Sequence, residues 1–258
     1  MSSSAVPFQS RVILTTGANR GIGFAIIQNL ATDPRSSSPT FLLGCRDISK
    51  GESAIAQLRS LGITSVIHPI HVDVTSDSSL RSAVKTVGEK YGRLDVLINN
   101  AGQAILTSDE DFSDYRHAFG TTYDTNVTSV ALSMQLFLPL LRKSSGTVIN
   151  VSSGRASIAM SAAGQMPPTV SIAYSISKTA LNALTVEMGR YEQNKDVSFY
   201  LISPGHCKTE FNGFRGLRDP LEGANVVAEL VCAEKDLYKS GRNYETRGDS
   251  RELVEVPW

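Results

Sequence analysis

Cysteine is scarce. There are three, Cys45, Cys207 and Cys232, widely spaced and with no CxxC pair. An odd and scattered set argues against a disulfide framework or a structural zinc site, and reduced thiols fit a cytosolic compartment. The four histidines, His68, His71, His117 and His206, show no metal-ligand spacing, so no metal is expected. An excess of one charge is also missing. Lys+Arg and Asp+Glu are both 25, a formal net charge of zero. Such a balance gives no electrostatic case for nucleic acid or an anionic membrane, although local basic groups can still hold one small anion. No apolar run approaches the roughly 20 residues that span a bilayer. The opening MSSSAVPFQS has neither the basic nor the apolar region of a secretory signal. The expected location is cytoplasmic.

What is present is alternation. With 41% hydrophobic residues, an ordinary core is possible. Residues 11–16 (RVILTT) read as a buried strand, followed by Phe24, Ile26, Ile27 and Leu30 at helical spacing. Further strands are predicted at Thr40–Cys45, Ser65–Val74, Leu94–Asn99, Gly146–Val151 and Val197–Ser203, with a short last one near 242–246. Helices are predicted at Ser49–Leu61, Ser78–Tyr91, Tyr174–Gln193 and 221–233, with one or two long ones over 111–143. Alternating β and α units imply a parallel sheet covered by helices on both faces. The expected fold is therefore α/β: a single-domain, Rossmann-like, doubly wound sheet of about seven strands, with ligands at the strands' carboxyl ends.

The segment Thr16-Gly17-Ala18-Asn19-Arg20-Gly21-Ile22-Gly23 joins the first strand to the first helix. Glycines there permit a tight turn and close backbone approach to a pyrophosphate, which meets the helix N-terminus. The spacing is TGxxxGxG. Asn99-Asn100-Ala101-Gly102 follows the fourth strand, Asn126 stands in DTNV, and Ser152-Ser153 ends the fifth strand. Tyr174 and Lys178 form YxxxK, and Pro204-Gly205 follows the sixth strand. Six such motifs in this order resemble the short-chain dehydrogenase/reductase family. Gly44-Cys45-Arg46-Asp47, Glu222-Gly223-Ala224 and Val256-Pro257-Trp258 resemble its carbonyl-reductase-type members. The likeness spans nearly the whole chain. It implies one domain over 1–258, with a cofactor half at about 11–150 and catalytic and substrate elements at about 151–258.

The resemblance implies a nicotinamide cofactor held by Gly17, Asn19, Arg20, Gly21, Ile22, Gly23, Asp73, Val74, Asn100, Ala101, Gly102, Tyr174, Lys178, Pro204, Gly205, Cys207 and Thr209. NAD-binding sheets usually end their second strand on an acidic residue. Here Cys45 is followed by Arg46, with Arg20 nearby. Two guanidinium groups suit the 2′-phosphate of NADP(H). The alternative leaves Arg46 in solvent and gives the ribose of NAD to Asp47; for Asp73 the alternative is a helix cap or turn.

Carbonyl reduction needs a hydride on carbon and a proton on oxygen. A tyrosine's pKa near 10 is too high for easy proton exchange at neutral pH. A lysine at i+4 on the same helix face would favour the phenolate. The resemblance makes Tyr174 the acid, with Lys178 lowering its pKa and binding the nicotinamide ribose. Ser153 would donate to the substrate oxygen, with Ser152 as fallback, and Asn126 would hold a water linking Lys178 to solvent.

Ser153 and Tyr174 are 21 positions apart, more than in many relatives. The added residues carry Met160, Met166, Pro167 and Pro168. We read 154–173, a loop or broken helix, as a substrate wall or flap. Gln103, Ile105, His206, Phe211 and Phe214 are further substrate candidates, the phenylalanines forming an apolar lid. The expected partner is a small, neutral, fairly hydrophobic carbonyl compound. Alternatives keep the fold and cofactor but use them for imine reduction, a non-redox rearrangement or cyclisation, or sensing without turnover. A homodimer or homotetramer is compatible with the resemblance, as is a monomer.

Overall fold

The computed structural model describes residues 10–36, 38–106, 114–169, 171–248 and 250–258. Its centre is an eight-stranded sheet in the order β3-β2-β1-β4-β5-β6-β7-β8. The strands are β1 (Val12–Thr15), β2 (Thr40–Cys45), β3 (Ile67–His71), β4 (Val96–Asn99), β5 (Thr147–Val151), β6 (Ser198–Ile202), β7 (Arg242–Thr246) and β8 (Leu253–Glu255). The first seven are parallel, and β8 pairs antiparallel with β7, Glu245 facing Val254.

Strands buried on both faces are apolar on both faces. Along β4, Val96 and Ile98 enter one core and Leu97 the other. The first core is closed by α1 (Gly21–Thr32), α2 (Ile48–Ser60) and α9 (Asn225–Cys232), with Ile27, Leu30, Leu58 and Val227 buried. The second is closed by α3 (Asp77–Tyr91), α5 (Ser129–Arg142) and α7 (Ile172–Gly189), with Leu80, Phe137 and Leu181 buried. The chain leaves β1 toward β2 and β3, then crosses back to place β4 on β1's other side. That reversal opens a crevice at the carboxyl ends of β1 and β4, the place where open α/β sheets bind ligands.

Several expectations are corrected. The sheet has eight strands rather than about seven. The third strand is shorter than 65–74, and the long helix ends at Gly189 instead of Gln193. The helix expected at 221–233 is two, α8 (Pro220–Gly223) and α9, broken at Ala224. Of the region 111–143, the described part holds α4 (Tyr115–Tyr123), a π-helical turn (Asp124–Thr128) and α5; residues 111–113 lie outside the described residues. The insertion 154–173 is indeed broken: a 3₁₀ turn at Gly154–Ala156, then α6 (Ile158–Ala162).

Candidate active site

The glycine loop is built by contact. Gly17 and Gly21 have φ of +62° and +58°, a region that disfavours side chains. A Cβ on Gly23 would stand 2.5 Å from Asn100 Nδ2 and 2.7 Å from the Gly17 carbonyl. The Thr16 hydroxyl accepts from the amides of Asn100 (3.0 Å) and Ala101 (3.1 Å). Asn100 Nδ2 donates to the carbonyls of Thr16 (2.8 Å) and Gly17 (3.1 Å). The two loops are thus stitched together, and the Asn100 side chain is spent on the glycine loop. Arg20 stands at the N-cap of α1 in extended backbone, its side chain making no capping bond, and the first turn carries no acidic residue. Orphan amides and the positive end of the helix dipole therefore face the crevice beside half-buried Asn19 and Ile22. A glycine-shaped cradle ending on an uncapped helix fits a dinucleotide's pyrophosphate.

Just past the end of β2, Arg46 is exposed and makes no ion pair among the described residues. Asp47 instead caps α2: its Oδ1 accepts from Ser49 N (2.9 Å), Ser49 Oγ (2.6 Å) and Lys50 N (3.3 Å). The carboxylate weighed for an NAD ribose is thereby engaged elsewhere. Asp73 Oδ1 likewise closes a turn on Thr75 N and Oγ1 (3.0 and 2.8 Å), with half-buried Val74 between. Arg20 pairs with Glu210.

The catalytic candidates come together at the strand ends. Helix α7 is capped by Ser171, whose Oγ accepts from Tyr174 N and donates to Ile105 O (2.9 Å). Lys178 is buried, its Nζ 5.7 Å from the Tyr174 ring centroid and donating to Val151 O at 2.8 Å. Ser153 caps the 3₁₀ turn by accepting from Arg155 N, and its hydroxyl lies close enough to the Tyr174 phenol to favour the phenolate. Ser152, the fallback, turns away: its Oγ donates to Asn182 Oδ1 at 2.6 Å.

Burial pushes the Tyr174 phenol up, while the Ser153 hydroxyl and then the charge of Arg155 pull it down. Burial brings Lys178 down to about 8. Burial thus works against the charge by which Lys178 is expected to favour the phenolate. A lysine deprived of water holds its own charge weakly.

Asn126 lies in the π-helical turn and is fully buried. Its Oδ1 accepts from Gln103 N, and its Nδ2 donates to Gln103 O and Ser177 Oγ, at 2.8, 2.8 and 2.9 Å. It clasps the loop after β4 to α7. A Cβ on exposed Gly102 would lie 3.4 Å from Asn126 Oδ1 and 3.6 Å from Lys178 Nζ. The Asn126 side chain braces these two elements.

A family model for short chain dehydrogenases matches residues 11–218. The chain belongs to the short-chain dehydrogenase family. It is an oxidoreductase of that family. A short-chain dehydrogenase/reductase of Aspergillus fumigatus is 34% identical over 96% of this chain and 98% of its own length. Among solved structures, an alcohol dehydrogenase of the archaeon Thermococcus sibiricus, complexed with 5-hydroxy-NADP, has a TM-score of 0.75 at 27% identity, covering 89% of this chain and 93% of that one. The carbonyl reductase from chicken fatty liver, with NADPH bound, has a TM-score of 0.72 at 28% identity, over 92% and 96%.

The family's proline–glycine turn closes the site from β6. Gly205 has φ +80°, and the Arg218 guanidinium donates to Pro204 O behind it. Cys207 is buried against Gly223, where a Cβ would stand 2.3 Å from its sulfur, and burial pushes the thiol up to about 11. It is a packing residue rather than a nucleophile. Thr209 is buried and caps a 3₁₀ turn (Glu210–Asn212) with Asn212. Phe211 follows, its ring centroid 5.6 Å from that of Tyr174. Phe214 and His206 are exposed, and His206 engages Leu217 and Arg218 through its carbonyl. Met166 lies on the Ser153 turn, its Cε 3.7 Å from a Cβ placed on Gly154; Met160, Gln103 and Ile105 are half-buried.

Sequence reasoning gave no individual role to Arg155 or Glu210, which it placed only within the candidate pocket segments 154–173 and 210–221. Arg155 N–H caps onto Ser153, and its guanidinium donates to Pro167 O, tying the insertion to the catalytic turn. An arginine two residues past the motif serine was the available signal. Glu210 pairs with an arginine 190 positions earlier, which no local pattern reveals.

Proposed function

We propose that this chain, acting as one domain, is an NADP(H)-dependent reductase of a neutral, fairly hydrophobic ketone or aldehyde, with Tyr174 as proton donor. The carrying observation is the gathering of Ser153, Tyr174 and Lys178 beneath Phe211 at the strand ends, beside a glycine cradle. The engagement of Asp47 as a helix cap, with Arg46 and Arg20 at the same end, favours the phosphorylated dinucleotide over NAD(H). The NADP(H) complexes of the chicken and archaeal relatives support the same choice.

When bound, the nicotinamide supplies the hydride. The remaining work falls to side chains. Burial keeps Tyr174 a neutral acid at neutral pH, the form that reduction requires. Ser153 orients the carbonyl oxygen and stabilises the charge that develops there. After the phenol gives up its proton, the Ser153 hydroxyl and the nearby Arg155 charge favour the phenolate. Lys178 spends one N–H on Val151 O and keeps the others for the ribose. Asn126 holds Gln103 and Ser177, fixing both sides of the crevice. Phe211, Phe214, Met160, Met166 and Ile105 give the substrate side an apolar wall, methionine adapting to varied shapes.

The test follows NADPH oxidation at 340 nm with neutral ketones and aldehydes, NADH in parallel and Tyr174→Phe as control. We expect turnover with NADPH that falls by about 10²–10⁴-fold in Tyr174→Phe. NADPH binding without oxidation across the panel would overturn the reading, and preference for NADH would overturn its cofactor.

A further inference from the structure

Arg20 and Glu210 meet across the mouth of the crevice. The arginine belongs to the glycine loop, and its guanidinium pairs with the Glu210 carboxylate. The carboxylate is placed by a built turn. Thr209 and Asn212 cap it reciprocally, Asn212 Nδ2 donates to Cys207 O at 2.8 Å, and Phe214 N donates to Thr209 O at 2.8 Å. The turn rests on the glycine loop, since a Cβ on Gly21 would lie 3.7 Å from the Thr209 side chain. Glu210 is therefore delivered to Arg20 by packing, although both side chains stay more than half exposed.

A guanidinium offers one forked face that suits a carboxylate and a phosphate equally. A dianionic phosphate approaching Arg20 must displace Glu210 or share the cation with a like charge. We propose that Glu210 is a specificity-determining residue, competing with the 2′-phosphate of NADP(H) for Arg20 and so setting how strongly the chain prefers NADP(H) to NAD(H). This rests on the proposed cofactor and goes beyond it. The preference is a balance: Arg46, without a carboxylate partner among the described residues, attracts the phosphate freely, whereas Arg20 does so only against Glu210. NAD(H) makes no such demand, and Glu210 leaves its binding alone.

The test is calorimetric titration of the full chain with NADP⁺, NAD⁺ and 2′,5′-ADP, for wild type, Glu210→Gln, Arg20→Gln and the double variant. An exposed ion pair is worth little, so the effect is modest. Glu210→Gln should bind NADP⁺ and 2′,5′-ADP about 3- to 10-fold more tightly, with NAD⁺ changed less than about twofold. In the Arg20→Gln background the same substitution should change NADP⁺ affinity by less than about twofold, the non-additivity expected of groups in contact. Unchanged NADP⁺ affinity in Glu210→Gln, or equal tightening of NAD⁺, overturns the competition. If Arg20→Gln leaves the NADP⁺/NAD⁺ ratio unchanged, it is the assignment of Arg20 to the phosphate that fails.

Discussion

The crevice has two unlike walls. On the cofactor side, the glycine loop and the loop after β4 exchange four hydrogen bonds within 3.1 Å through Thr16 and Asn100, and a single added carbon at Gly23 would strike three atoms. On the substrate side, 154–173 and 205–221 expose Ile158, Phe211, Phe214 and, at 97%, Leu217. Side-chain anchors are spread along that wall, among them Arg155 to Pro167, Ser171 to Ile105, Thr179 to Ala156, Asn212 to Cys207 and Arg218 to Pro204, and none of them ties one loop to another as densely as Thr16 and Asn100 do. Under the proposed function, the contrast follows from what each wall would bind. A pyrophosphate is one shape of fixed charge, best met by preorganised backbone amides. An apolar substrate is met by area and adaptable side chains, which demand little fixed geometry.

Substitution on the two sides should therefore fail differently. The largest effect is expected at Gly23→Ala, where the methyl meets Asn100 Nδ2, the Gly17 carbonyl and Ala18 Cα at 2.5–2.8 Å. We expect a loss of about 1–3 kcal/mol in denaturant unfolding, with weaker dinucleotide binding by calorimetry. A variant as stable as wild type would show the cofactor wall to be soft.

Lys178 stands between the walls, and its expected effect is next in size. Its pKa falls from 10.5 to about 8 on folding because it is buried. Below pH 8 the folded protein carries the full burden of a buried ammonium. As pH rises from 8 to 10.5 the unfolded chain binds more protons, so this group's contribution to stability rises with pH. Lys178→Met should thus be more stable than wild type at pH 7 by about 2 kcal/mol or less, relief of the buried charge being offset by loss of the hydrogen bond to Val151 O, while losing turnover. Thermal unfolding at pH 7 and pH 10 should show that gap narrowing. A constant gap would mean that burial of the charge is not its source.

The smallest effect is expected on the substrate side. Met166→Ala removes the thioether chain whose Cε rests on the Ser153 turn. Its KM for a bulky ketone should change several-fold, with kcat nearly kept and stability within about 0.5 kcal/mol, as for surface changes. A large fall in Tm would place Met166 in the core and remove the contrast between the walls.

Much of this was legible in the sequence. Runs such as RVILTT and LDVLIN mark buried strands because parallel strands are apolar on both faces, and the chemical motifs follow them in chain order. What escaped lies in long-range packing. β8 has three residues and is a strand only because β7 offers its edge. The break at Ala224 follows from Gly223 lying against Cys207, 16 positions away in the chain. The i+4 spacing of Tyr174 and Lys178 gave their shared face correctly, but burial decided the electrostatics, and burial is a property of the folded whole. Arg155 resembled an ordinary surface arginine until the insertion folded back onto it.

The π-helical turn at Asp124–Thr128 amounts to one surplus residue inside a helix that otherwise runs from Tyr115 to Arg142. A one-residue deletion there would be the mildest change the backbone could accept, since an unbroken α-helix is the commoner structure. Yet it would rotate everything upstream by about 100° relative to everything downstream. Asn126 would leave Gln103 and Ser177 together, and the loop after β4 would lose its hold on the helix that carries Tyr174. The reading frame of the helix, more than any one of its side chains, thus decides which residues meet the loop after β4.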